Sequence, residues 1–383
     1  MESFPRAATA VVGAATFGIG EMPGMDSIDL AAQAAILALR DAGLRPTDVD
    51  GLFVGLPDDA MSSLSLAEYL GIHPAITDNN RVGGSSFQTL AIMAALALDK
   101  GICNVALIAY GSNQRSATGK LVSASKPFAY EAPYRPISPV SSYALAASRH
   151  MHEFGTTRRQ FAEVAVAARL WAQLNPEAFA RADLTIDEVL GARMVSDPLG
   201  VHDCCLVTDG AAAVVMVRSE RARQMPRKPV YLLGGAANTT HRWISCMPEL
   251  TVSATVECAA RAYRQAGITV ADVDVVELYD AFTINTIMML EDLGFCAKGE
   301  GGRFVEGGAI APGGRLAVNT NGGGLSCVHP GMYGLFTIVE SVVQLRGAAD
   351  RRQVPGAEVA VAHGNGGVLS SQAVLVFGSE STR

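Results

Sequence analysis

Proton transfer needs a group that can hold and release a proton where a substrate can reach it. Four residues in the last third of the chain fit that need. His329 sits in the glycine-rich stretch Asn319-Thr320-Asn321-Gly322-Gly323-Gly324-Leu325-Ser326-Cys327-Val328-His329-Pro330-Gly331-Met332-Tyr333. An imidazole, with an ordinary pKa of about 6.5, suits proton transfer or an oxyanion contact. Tyr333 falls one helical turn beyond His329, so both can face one cavity. His363, in the turn Val361-Ala362-His363-Gly364-Asn365-Gly366-Gly367, is a second acid/base candidate. Tyr279, in Tyr279-Asp280-Ala281-Phe282-Thr283, follows a short apolar run. It can act as acid, base or donor, or be an amphipathic tyrosine at a strand end, and its residue type leaves both open.

A nucleophile is harder to place. The turn Asn80-Arg81-Val82-Gly83-Gly84-Ser85-Ser86-Phe87-Gln88 runs into the apolar segment Thr89–Asp99. Glycines allow a tight turn, and the first N–H groups of the helix point into it. Ser85 and Ser86 are available as nucleophiles, but the pattern is not G-x-S-x-G, and hydroxyls capping a helix start explain them as well. Cys327 reads as a small buried thiol. Asp203, Cys204 and Cys205 fit no common metal spacing, so no metal is expected. Lys298-Gly299-Glu300-Gly301-Gly302 lacks the spacing of a phosphate loop.

These residues need a scaffold, and the chain repeats itself to make one. Ala8–Phe17 reads as a first strand, and Ser27 as the cap of a helix over Ile28–Asp41 that Gly43 stops. Ser62–Leu70 reads as a short helix and Cys103–Tyr110 as a buried strand. Asp209–Val217 and Val230–Gly235 have strand patterns. Ala266–Asp274 then echoes Ala42–Asp50, each copy lying between a helix and a strand, here Val275–Leu278. Gly322–Ser326 leads into the helical Gly331–Leu345 much as Gly83–Ser86 leads into its helix, and Gly366–Phe377 closes the second copy. Two copies of one α/β unit follow, residues 1–225 and 226–383, with mostly parallel mixed sheets. Residues 111–200, broken by Pro127, Pro133, Pro136 and Pro139, read as a lid-like insertion with helices near Tyr143–Phe154 and Arg158–Gln173.

Bulk properties exclude several partners. The 383 residues exceed a single core. Net charge is −7, without a basic cluster, which argues against nucleic acid. No run reaches the ~18 apolar residues of a membrane span, and Met1–Arg6 shows no signal-peptide pattern. Seven scattered cysteines without a CxxC pair point to the cytoplasm.

Over nearly the whole chain this pattern resembles the thiolase superfamily. The first turn of that family reads roughly N-R-x-C-x-S-G. Asn80, Arg81 and Ser85 match, Gly83 falls where the nucleophilic cysteine stands, and Ser86 replaces the glycine. Val328-His329-Pro330 looks like the G-H-P motif with its catalytic histidine. Tyr279–Phe282 lies where thiolases have N-E-A-F or H-D-C-F, and His363 where sterol-carrier-type members carry histidine. Glu291–Cys296, Lys298–Gly302 and Gln344–Gly347 resemble lipid-transfer proteins, some of which are aldolases that cleave steroid side chains carried as CoA thioesters.

The resemblance implies a thiolase-like α/β fold and a lyase that retro-aldol-cleaves a β-hydroxyacyl-CoA. An acyl-enzyme route needs a nucleophile that Gly83 does not supply. Retro-aldol cleavage needs only a base for the β-hydroxyl and donors for the leaving enolate. Tyr279 and Tyr333 are then the proton-transfer residues, His329 the enolate-side donor and His363 a further acid/base. Gly83, Ser85, Ser86, Asn321 and Gly364 would touch substrate. Coenzyme A enters as part of the substrate, with no covalently bound cofactor. A homodimer through Cys103–Tyr110 and a small zinc-ribbon/OB-fold partner are expected. The alternatives are an acyltransferase with Ser85, Ser86 or Cys327 as substitute nucleophile, and a non-catalytic acyl-CoA binder.

Overall fold

A computed structural model describes residues 4–118 and 129–383, so Pro127 and Met1–Ser3 lie outside the described residues. The strands are β1 (Thr9–Gly20), β2 (Gly51–Val54), β3 (Ile76–Asn79), β4 (Val105–Ser112), β5 (Met194–Ser196), β6 (Leu199–Gly200), β7 (Asp209–Arg218), β8 (Val230–Thr239), β9 (Val275–Glu277), β10 (Ala317–Val318), β11 (Val359–Gly366) and β12 (Ser371–Gly378). Ten of them form one sheet, in the order β10-β9-β11-β12-β8-β1-β7-β4-β2-β3, while β5 and β6 form a separate ribbon.

The duplication is visible in that order. From the β1–β8 seam outward, one wing runs β1-β7-β4-β2-β3 and the other β8-β12-β11-β9-β10. The repeated Ala42–Asp50 and Ala266–Asp274 segments explain part of it. Asp50 accepts from Asn104 N and Val105 N at 2.7 and 2.8 Å, which aligns β4 beside β2. Asp274 accepts from Glu358 N and Val359 N at 2.8 and 2.9 Å, which aligns β11 beside β9. Parallel pairing is confined to the outer strands of each wing. The inner strands and the seam are antiparallel. Strand–helix alternation thus governs the wings, whereas β12 turns straight back from β11 and pairs antiparallel with it.

Helix Ser86–Asp99 packs on β4 and β7 of its own wing and on β8, β11 and β12 of the other. Helix Gly334–Arg346 likewise reaches β1 and β7 as well as β9 and β11. The two helix starts abut, bridged by Gln88, whose Nε2 donates to Gly334 O and Thr337 Oγ1 at 2.9 Å. A Cβ at Gly334 would lie 2.0 Å from Gly84 O, so glycine permits the approach.

Three expectations change. The cap of the first helix is Asp26, one residue before Ser27. The second glycine-rich turn does not run straight into its helix. Gly323–Cys327 forms a π-type turn, and the helix begins only at Gly334, so His329 and Tyr333 share a loop rather than a helical face. Finally, β4 is paired by β2 and β7 on its two edges and buried along its length. The expected dimer contact through Cys103–Tyr110 has no free edge to use. In the insertion, helices Val140–Phe154 and Arg158–Gln173 form as expected. Among the described residues no helix is long and apolar enough to cross a membrane.

Candidate active site

The chemistry collects where the two helix starts meet the β11–β12 hairpin. A cavity of about 110 Å³ lies there, lined by Gly83, Tyr143, Cys205, Tyr279, His329 and Asn365, among others. Tyr279 follows β9, and its backbone N–H donates to His363 Nδ1 at 3.5 Å. Its ring fits against Gly84, where a Cβ would stand 1.7 Å from the ring.

The His329 loop is fastened on several sides. His329 N donates to Thr208 Oγ1 at 3.0 Å. Tyr110 of β4 donates to Pro330 O and accepts from Met332 N. Asp280 accepts from Gly324 N at 2.6 Å and Leu325 N at 3.3 Å, and so shapes the π-type turn. Burial pushes the Asp280 carboxyl up to about 7.

At the centre, Tyr279 OH and His329 Nε2 are 3.1 Å apart. Either atom can hold the shared proton. Burial lowers the His329 pKa to about 4 and raises that of Tyr279 well above its usual value, so both are neutral near pH 7. His329 Nδ1 is buried without a partner. With Nε2 on Tyr279, the pair is built to pass a proton, and a donor role toward an enolate does not fall naturally to this imidazole.

The other sequence candidates stand further out. Tyr333 is fully buried, its ring 5.9 Å from that of Tyr279 and its hydroxyl donating to Asn321 Oδ1 at 2.9 Å. His363 is buried on β11, its Nε2 2.9 Å from Gln372 Oε1. Ser85 donates to Ser371 Oγ at 3.0 Å. Ser86 Oγ accepts from Val82 N at 3.0 Å, fixing the turn. Gly364 makes room for Gln88, whose Oε1 would lie 2.1 Å from a Cβ there. Cys327 lies outside the cavity, and Lys298 is ion-paired to Glu291 and Asp292. Thus Tyr279, His329 and Gly83 come together on the cavity, Tyr333, Asn321 and His363 support them, and both serines serve the turn.

Sequence reasoning missed Tyr143, Asn365, Gly84 and Cys205. Asn365 stood in a polar turn without a role, and Tyr143 lay unremarked in a helical run. Burial pushes the Cys205 thiol well up, away from the thiolate a nucleophile needs. Gly83 has φ +106°, and a Cβ there would stand 2.6 Å from Gly366 Cα. Gly83→Cys is therefore expected to cost ~1–3 kcal/mol of stability through backbone strain. Intact-protein mass spectrometry should find no acyl adduct on it.

Burial also lowers His363 to about 4, so the folded chain refuses a proton that the unfolded chain binds below pH ~6.5. The penalty is absent above that pH and grows as pH falls toward 4. His363→Gln removes it. The stability difference should shift in favour of the variant by up to ~3 kcal/mol across that window, checked by denaturant melts at stepped pH.

Known proteins share this architecture. Residues 236–379 match the family model described as Thiolase C-terminal domain-like. An acetyl-CoA acetyltransferase of Methanothermobacter thermautotrophicus is 35% identical over 96% of this chain and 98% of that one. The chain belongs to the thiolase superfamily. Within the superfamily it sits with the lipid-transfer and aldolase members. The 17-hydroxy-3-oxo-4-pregnene-20-carboxyl-CoA lyase of Mycobacterium tuberculosis is 34% identical over 96% of this chain and 98% of that one. The solved structure of an Ltp2-ChsH2(DUF35) aldolase superposes with a TM-score of 0.90 at 31% identity, covering 98% of both chains. A thiolase-superfamily chain with glycine in place of the nucleophile is thus similar to relatives named for C–C cleavage.

Proposed function

We propose that this protein is a carbon–carbon lyase that cleaves a β-hydroxyacyl-CoA by a retro-aldol reaction. The carrying observation is a neutral Tyr279–His329 pair facing a cavity whose nucleophile position is Gly83. Tyr279 O takes the β-hydroxyl proton as its own proton passes to His329 Nε2. The β-carbon becomes a carbonyl, and the Cα–Cβ electron pair moves into the thioester enolate. The proton held by the pair then goes to the α-carbon, giving a ketone or aldehyde and a shorter acyl-CoA such as propionyl-CoA or acetyl-CoA. Tyr333, packed edge-on against Tyr279, keeps that ring in place. The relative named as a 17-hydroxy-3-oxo-4-pregnene-20-carboxyl-CoA lyase supports a steroid side-chain thioester as the substrate class. The solved aldolase is named Ltp2-ChsH2(DUF35), which supports a partner protein for this chain too. That this partner is a small zinc-ribbon/OB-fold protein is part of the proposal. A homodimer and a cytoplasmic location complete the proposal.

The relative named as an acetyltransferase favours a second reading, acyl transfer with Cys205 as nucleophile, since this thiol lines the cavity. Assay with and without free CoA separates the two. Cleavage that proceeds without added CoA supports the lyase. A strict need for CoA, with an acyl group trapped on Cys205, supports the transferase.

A further inference from the structure

The retro-aldol reading leaves the enolate oxygen without an assigned donor, because His329 Nε2 is engaged by Tyr279 and His329 Nδ1 is buried. A line of hydrogen bonds behind the cavity points to another group. It starts at a backbone N–H, whose direction cannot reverse. Tyr279 N donates to His363 Nδ1, so the neutral imidazole carries its proton on Nε2. His363 Nε2 then donates to Gln372 Oε1 at 2.9 Å. Gln372 Nε2 donates to Asn365 Oδ1 at 2.8 Å. Asn365 Nδ2 donates to the Tyr143 hydroxyl oxygen at 2.8 Å. Each side-chain amide is thereby fixed in one orientation.

Tyr143 is the end of the line. Its oxygen accepts from Asn365, and its O–H is left to act as a hydrogen-bond donor. Within the chain it reaches Gly367 O at 3.3 Å, a long bond at the cavity wall. Phe282 packs against the ring with centroids 4.4 Å apart, and the side chain is 2% exposed. Tyr143 is thus a rigid neutral phenol, held as a donor, on the wall that also carries Tyr279.

We propose that Tyr143 is a further catalytic residue, donating its hydroxyl hydrogen bond to the oxygen of the thioester enolate, with Asn365 as its positioning residue. This rests on the retro-aldol reading. As the Cα–Cβ bond breaks, its electron pair becomes the enolate and charge collects on the thioester oxygen. The Tyr143 proton stays on Tyr143 throughout, so the step needs no further reactant. A preorganised donor of this kind contributes on the order of 10²–10³ in rate.

The test uses the full chain with the protein that copurifies with it. Two rates are measured: cleavage of a β-hydroxyacyl-CoA and α-proton exchange of propionyl-CoA in D₂O by NMR. Exchange passes through the same enolate without C–C chemistry. Tyr143→Phe should lower both by on the order of 10²-fold, with KM within a few-fold and an unchanged circular dichroism spectrum. Asn365→Asp replaces the donor facing Tyr143 with an acceptor, which draws the Tyr143 proton away from the substrate. It should lose a similar factor, and the double variant should fall no further than Tyr143→Phe alone. Additive losses would make Asn365 merely structural and overturn its role. If the wild type cleaves and Tyr143→Phe matches it in both assays, the donor assignment is wrong and the lyase reading stands. If the wild type neither cleaves nor exchanges, the lyase reading fails and takes this inference with it.

Discussion

Tyr279→Phe is expected to lower turnover by on the order of 10²–10⁴-fold, the range for losing a positioned acid–base group. The reason is geometric. The Tyr279 hydroxyl bridges the cavity to His329 Nε2, 3.1 Å away. Phenylalanine keeps the ring, its fit against Gly84 and its edge-on contact with Tyr333, and removes only the oxygen that receives the substrate proton. Folding stability should therefore change little, since the hydroxyl's other contact, Gly331 O at 3.4 Å, is long. Steady-state kinetics check this as a fall in kcat with KM nearly unchanged.

Gly84→Ala should be nearly as damaging, although it adds one methyl group. The new Cβ would lie 1.7 Å from one Tyr279 ring carbon and 2.3 Å from another. The ring cannot retreat easily, because His329, Tyr333 and the backbone bond to His363 surround it. Overpacking of this kind costs ~1–3 kcal/mol. A displacement of about 1 Å at a reacting group costs on the order of 10²-fold in rate. Thermal melts and kcat measured together check both effects. A variant with wild-type kcat would show that Tyr279 does not need its present position.

Much of the fold was legible in the sequence. The repeated Ala42–Asp50 and Ala266–Asp274 segments mark the two wings, because each ends in an aspartate that aligns a strand pair. Helices Ser62–Leu70 and Arg158–Gln173 form over the segments read as helical. Strand direction in the inner sheet was not legible, since it depends on which strands the insertion and the hairpin bring back side by side. The place of β4 between two neighbours is equally a matter of tertiary pairing, and an apolar strand looks the same at an interface as in a core.

The site was legible where a residue type carries its own chemistry. His329 stood out because an imidazole in a glycine-rich turn suggests proton transfer, Tyr279 was a candidate as a phenol at a strand end, and the two do meet. The absence of a nucleophile was likewise visible as Gly83. Tyr143, Asn365 and Gly84 were hidden for different reasons. Tyr143 faces the cavity because of how its helix packs, not because of its neighbours in sequence. Asn365 acts through hydrogen-bond direction, which no spacing encodes. Gly84 matters for the ring that fills the space beside it, and that ring comes from residue 279.

The central claim is C–C cleavage at a site without a covalent intermediate, and one measurement addresses it directly. The full chain, with its copurifying partner, is incubated with a β-hydroxyacyl-CoA in D₂O without free CoA. Small-molecule products and the intact protein are then weighed in the same sample. The expected result is a carbonyl compound and a shorter acyl-CoA in equal amounts, at least one deuterium on the α-carbon of every acyl-CoA formed, and an unmodified protein mass. Products that appear only after free CoA is added, together with a protein mass raised by one acyl group, would contradict it.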